Sequence, residues 1–135
     1  MTQFTKDKLL EKKDKLLETY ASLQKLQKFS LKDIQTHKEN FWAVSYGLII
    51  AIEAILDIGQ YILGDKGIKA DSFNKIIPLL IQEKILPKAL GEKIQGMVNF
   101  RNIAVHAYPT LNEALVHKFL QENVDDFKNF LKYIK

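Results

Sequence analysis

Apolar residues recur along this chain with the period of an α-helix. Leu9, Leu16, Tyr20, Leu23 and Leu26 form a stripe at helical intervals, with Lys and Glu between them, which predicts a first helix from about Thr5 to Phe29. Ser30 opens a second helix: Ser30-Leu31-Lys32-Asp33 resembles a capping box with Asp in place of Glu. That helix extends to about Leu63 and is expected to break near Thr36–Asn40. Gly64, Asp65 and Gly67 then end it in a turn. No alternating β-branched runs bounded by hairpin turns interrupt the pattern.

The second half of this helix, AVSYGLIIAIEAILDIGQYIL, is apolar on most sides. A membrane span is the competing interpretation. Glu53, Asp57 and Gln60 argue against it, because a carboxylate at mid-bilayer costs roughly 2.5–3.5 kcal/mol even on a lenient insertion scale. A helix apolar nearly all round is normally buried. In a chain this small one helix rarely finds neighbours on every side, so a second copy of the chain is expected to supply the missing cover.

A third helix starts after Asp71, a suitable N-cap, and carries Phe73, Ile76, Ile77, Leu80 and Ile81. Pro78 falls inside it and is expected to kink or break it. Pro87 is expected to open a fourth helix at its first position, followed by Leu90, Ile94, Met97 and Val98. Gly91 and Gly96 weaken that helix locally, which suggests close packing. Pro109 ends it. Thr110-Leu111-Asn112-Glu113 reads as a capping box for a fifth helix, where Val116, Leu120, Phe127, Leu131 and Ile134 align. The expected fold is all-α, an antiparallel bundle of four or five helices, with residues 1–135 forming one domain.

Composition narrows the function classes. The chain has 135 residues, 47% apolar and 27% charged, in the range of globular proteins. There are no cysteines, so disulfides and thiolate metal sites are excluded, and a reducing cytoplasm fits. The segment MTQFTKDKLLEKKDK is too charged for a signal peptide. The net charge of +4 is compatible with nucleic acid but is not a strong basic footprint. Of the 20 basic residues only Arg101 is an arginine. Lysine serves wherever a plain positive charge is enough, so the lone guanidinium marks a place where planar, bidentate geometry matters.

Three histidines are available: His37, His106 and His117. None pairs with another at metal-ligand spacing, and there is no HExxH pattern. No metal or other cofactor is therefore expected. Gly64-Asp65-Lys66-Gly67 is too short for a phosphate loop and follows a helix, not a strand, and no GxSxG elbow is present. What remains is the end of the fourth helix. Asn102 and His106 are four apart, and Arg101 and Tyr108 seven apart, so each pair shares a helical face. Imidazole works as base or acid near neutral pH. Guanidinium holds a phosphate and stabilises charge developing on it. A plainer interpretation stays open: His106 caps the helix C-terminus, Arg101 pairs with Glu53 or Asp57, and Tyr108 closes the core.

Arg101-Asn102-Ile103-Ala104-Val105-His106-Ala107-Tyr108 resembles the RX4HXY motif of HEPN domains, specifically the HepT toxin family. IAIEAILDIGQYIL (residues 50–63) is similar to that family's central helix, and GMVNFRNIAVHAY (residues 96–108) to its motif helix. Pro78, Pro109 and Lys84, the last standing where a Gly often turns the chain, depart from the family pattern. The resemblance implies a homodimer with the two motifs meeting in a shared cleft. It implies the toxin of a type VII toxin–antitoxin module, acting as a metal-independent endoribonuclease. His106 would be general base or acid, Arg101 would position the scissile phosphate, and Asn102 would support both, with Glu53 and Asp57 as further polar neighbours. The implied partners are RNA and an MNT-type nucleotidyltransferase antitoxin that transfers AMP from ATP to Tyr108; no DNA and no membrane are expected. The alternative is a non-catalytic, nucleotide-binding subunit of a two-component nucleotidyltransferase.

Overall fold

The computed structural model describes residues 1–106 and 112–134; for residues 105 and 106 it describes the backbone alone. Among the described residues the chain is helical throughout. The order is α1 (Gln3–Leu26), α2 (Leu31–Thr36), α3 (Lys38–Asp65), a 3₁₀ turn over Phe73–Lys75, α4 (Ile76–Gln82), α5 (Lys88–His106), α6 (Glu113–Glu122) and α7 (Val124–Lys132).

The long apolar helix is the centre of the molecule. α3 touches all six other helices, and its residues from Val44 to Leu63 supply the largest share of the core. It is long and apolar enough to cross a bilayer, yet 56% of its most apolar window is buried against the rest of the chain. α1 runs antiparallel to it: Lys12 meets Asp57, and further along Leu23 lies against Gly47. The stripe of Leu9, Leu16 and Leu23 is the face α1 buries, with Tyr20 and Leu26 packed at its margin. The chain itself therefore covers much of α3 but not all of it. The large apolar side chains it leaves exposed lie in its first half, where Trp42 is 52% and Tyr46 68% exposed.

The break expected near Thr36–Asn40 falls at His37, whose extended backbone separates α2 from α3. The Ser30–Asp33 capping box forms in both directions. It holds the Asp33 carboxyl below its ordinary range, chiefly through the Ser30 backbone N–H that favours the charged form. Pro78 neither kinks nor breaks a helix. α4 begins only at Ile76, so Pro78 lies in the first turn, where its missing N–H has no intrahelical partner to lose. Pro87 sits one place earlier than expected, outside α5, with its carbonyl accepting from Gly91 N at 2.9 Å. The expected fifth helix is two: Asn123 interrupts it, and α7 begins with Asp125 and Asp126 in its first turn. The capping residue of α6 is Asn112, whose side chain accepts from Leu115 N at 3.1 Å. Thr110 and Pro109 lie outside the described residues.

Three glycines let helices close on one another: Gly47 against Leu23 of α1, and Gly59 and Gly91 on either side of α4. A Cβ on Gly59 would stand 2.6 Å from Ile76 Cγ2, and one on Gly91 would collide with Ile81 Cδ1, so α4 is pressed against α3 on one side and α5 on the other. Gly96, read from sequence as a second packing glycine, faces open space.

α3 and α4 both end in Schellman motifs. After α3 the left-handed position is Gly67, φ 76°, with Ile68 N bonded to Leu63 O at 2.9 Å. After α4 it is Lys84, φ 60°, with Ile85 N bonded to Leu80 O at 2.9 Å. A side chain with a Cβ is strained there by about 1–2 kcal/mol, partly offset by the lower entropy of its unfolded chain. Lys84→Gly is therefore expected to stabilise the protein by about 1 kcal/mol and raise Tm by a few degrees. Thermal unfolding checks this; an unchanged or lower Tm means the turn holds Lys84 without strain.

Candidate functional site

α5 buries Ile94, Met97, Val98 and Ala104 along one stripe, and Arg101 falls on that same stripe. Its side chain is consequently only 14% exposed. A cation at such a place must be paired and hydrogen-bonded to persist. Three elements provide the partners. From α3, Glu53 Oε1 lies 3.3 Å from Arg101 Nη2. From α5 itself, Asn102 Oδ1 accepts from Arg101 Nη1 at 3.3 Å. From the 3₁₀ turn, the Phe73 ring lies under the guanidinium, its centroid 5.2 Å from Cζ. Asn102 Nδ2 in turn donates to Asn74 Oδ1 at 2.6 Å. Behind the cluster, Phe100 meets Phe119 edge to face at 5.3 Å and fixes α5 against α6.

The guanidinium carries five N–H groups. One is directed at Glu53 and one at Asn102, and Nε has no partner among the described residues. Nε is buried away from solvent, so among the described residues the N–H groups left for a ligand are the second ones on Nη1 and Nη2, on a planar cation held in place by its neighbours. That arrangement suits bidentate binding of an anion such as phosphate.

The residues picked from sequence separate clearly. Arg101, Asn102 and Glu53 come together. Asp57, one helical turn from Glu53, turns to α1 instead and pairs with Lys12 Nζ at 3.1 Å. That hydrogen bond, with the attraction between the charges, raises the Lys12 ammonium above its ordinary value. His106 is the last residue of α5, one turn beyond Asn102; its side chain and the whole of Tyr108 lie outside the described residues. His37 sits at the α2–α3 junction and His117 on α6. A cavity of about 230 Å³ between α1 and α3, lined by Leu23, Tyr46 and Ile50 among others, holds none of the predicted site residues. Phe73 and Asn74 were not foreseen: helical periodicity assigned Phe73 to a core stripe, and Asn74 meets Asn102 across 28 residues.

A sequence profile described as Ribonuclease HepT-like matches residues 16–134. The chain is 36% identical over 88 residues to the mRNA nuclease HepT of Shewanella oneidensis; the match covers 62% of this chain and 63% of that relative's own length. Its fold is similar to the tri-AMPylated Shewanella oneidensis HEPN toxin solved in complex with an MNT antitoxin, with a TM-score of 0.85 at 24% identity, covering 99% of this chain and 98% of that one. A cytosolic protein of unknown function from Bacillus subtilis, YutE, shares the fold at a TM-score of 0.76 and 20% identity, covering 92% and 86% of the two chains.

Proposed function

The chain belongs to the HepT-like ribonuclease family, and from that premise we propose that it is the toxin of an MNT/HepT toxin–antitoxin module, a cytoplasmic endoribonuclease that needs no metal. The observation that carries this is the Arg101 guanidinium, oriented by Glu53, Asn102 and Phe73, with an N–H on each terminal nitrogen left without a partner among the described residues. RNA brings its own nucleophile, the 2′-hydroxyl. Arg101 binds the scissile phosphate and stabilises the charge that grows on it. Asn102 holds the cation in place. His106, one turn further along α5, takes the proton from the 2′-hydroxyl or gives one to the departing 5′-oxygen.

One imidazole begins a turnover either as the base or as the acid, whereas a cleft shared by two copies offers one of each. The surface favours such a pairing. Trp42, Tyr46 and Glu53 share a face of α3, so the exposed aromatics lead along the helix to the partner of Arg101. A second copy covering Trp42 and Tyr46 would bring its own motif beside the first. Light scattering at micromolar concentration is expected to give twice the chain mass of 15.6 kDa, and Trp42→Lys to give the monomer. A monomeric wild type rejects the shared cleft.

Regulation is assigned to Tyr108. An MNT-type partner transfers AMP from ATP to its phenol oxygen with release of pyrophosphate. Each AMP adds bulk and negative charge two residues along the chain from His106 and repels RNA phosphate. The Shewanella toxin, solved AMPylated and in complex with its MNT antitoxin, supports this reading.

Cleavage by the purified protein is expected to persist in EDTA and to leave 2′,3′-cyclic phosphate or 3′-phosphate ends. Arg101→Lys keeps the charge and loses the fork, so activity should fall about a hundredfold with the fold intact. Activity abolished by chelator and restored by magnesium, or a fully active lysine variant, overturns the mechanism.

Tyr108→Phe removes only a hydroxyl. The variant should cleave RNA as the wild type does and accept no AMP. Mass spectrometry after incubation with the cognate nucleotidyltransferase and ATP should show whole AMP units on the wild type alone. Equal modification of the Phe variant removes Tyr108 from this role.

A further inference from the structure

The turn Phe73–Lys75 is tied to Arg101 by chemistry as well as by position. A guanidinium only donates, so the atom of Asn102 facing Arg101 is its oxygen. The Asn102 amide nitrogen must then face Asn74, and Asn74 must present its own oxygen, which it does at 2.6 Å. The orientation of both amides thus follows from one cation. Without the acceptor on Asn74, the Asn102 amide is free to turn its oxygen away from Arg101. The Phe73 ring closes the underside of the same guanidinium.

These two residues do little for the core. α4 is anchored by Ile76, Ile77 and Leu80, whereas Asn74 is exposed and Phe73 is 39% exposed. An aromatic ring and an amide placed at the surface, both in contact with one two-residue stretch of α5, are better accounted for by what they hold.

We propose that Phe73 and Asn74 are positioning residues for RNA cleavage: Asn74 sets the Asn102 amide, and together with Phe73 it holds Arg101 so that its remaining N–H groups meet the scissile phosphate. The proposal rests on the ribonuclease reading above. Its effect belongs mainly in kcat, because the charge that Arg101 must meet is fully developed only in the transition state.

Asn74→Leu nearly preserves the side-chain volume and removes the acceptor at an exposed site. It is expected to lower kcat about tenfold while KM stays within about twofold. Asn74→Asp restores the acceptor, so kcat recovers, with KM raised by the added carboxylate. Phe73→Leu removes the ring beneath the guanidinium and is expected to lower kcat, and Phe73→Tyr, which restores the ring, is expected to recover most of that loss. In parallel, NMR of the Asn102 side-chain amide and of the Arg101 Nε–H should show both resonances displaced in Asn74→Leu. A wild type that cleaves RNA and an Asn74→Leu variant with unaltered kcat overturn the proposal. If the wild type cleaves no RNA, the ribonuclease reading fails instead, and the resonances decide: unmoved, they overturn the positioning role; displaced, they uphold Asn74 as the residue that orients Arg101.

Discussion

Everything in this fold is arranged around the burial of α3. Eleven of its 28 residues are buried. Each large aliphatic side chain hidden there contributes about 1.5–3 kcal/mol relative to exposure. The six other helices are short or amphipathic, and each lays an apolar face on this one. Polar groups on α3 are therefore few, and its two half-buried carboxylates are each answered by a cation from another helix. Asp57 is answered by Lys12 from α1, and Glu53 by Arg101 from α5. The ion pair at the candidate site is thus a consequence of where α3 lies as well as a device for chemistry.

Much of this was legible in the sequence because it is local. The stripe Leu9–Leu16–Leu23, the Ser30–Asp33 box and the break at His37 all follow from spacing and capping chemistry within a few residues. The split of the last helix was missed because Leu120, Val124, Phe127 and Leu131 keep helical phase straight across it. The available signal was Asn123 followed by two aspartates, a helix-start pattern inside an apolar period. Pro78 was misread because a proline stops a helix only where that helix has already begun.

At the site, the sequence supplied Arg101, Asn102 and Glu53 but not their geometry. That Arg101 is the single arginine on the apolar stripe of α5 was visible. That Glu53 answers it, rather than Asp57 one turn away, depends on the rotation of α3, which its buried apolar face sets and which leaves Asp57 toward Lys12 of α1. Phe73 and Asn74 carry no pattern that could have announced them. Their roles exist only once a turn 28 residues upstream has been folded against α5.

The tight glycine contacts on either side of α4 give this assembly a lineage constraint. Gly59 faces Ile76 and Gly91 faces Ile81, at opposite ends of the short helix that follows directly from the Phe73–Lys75 turn. Any added bulk at position 59 or 91 must be offset by lost volume at 76 or 81, or α4 shifts and carries the turn away from Arg101. Sequence drift at these four positions is then expected to occur in compensating pairs. A mismatched pair would look like a defect of the candidate site although it lies wholly within the core, and families of such chains would inherit the match of volumes together with the arginine.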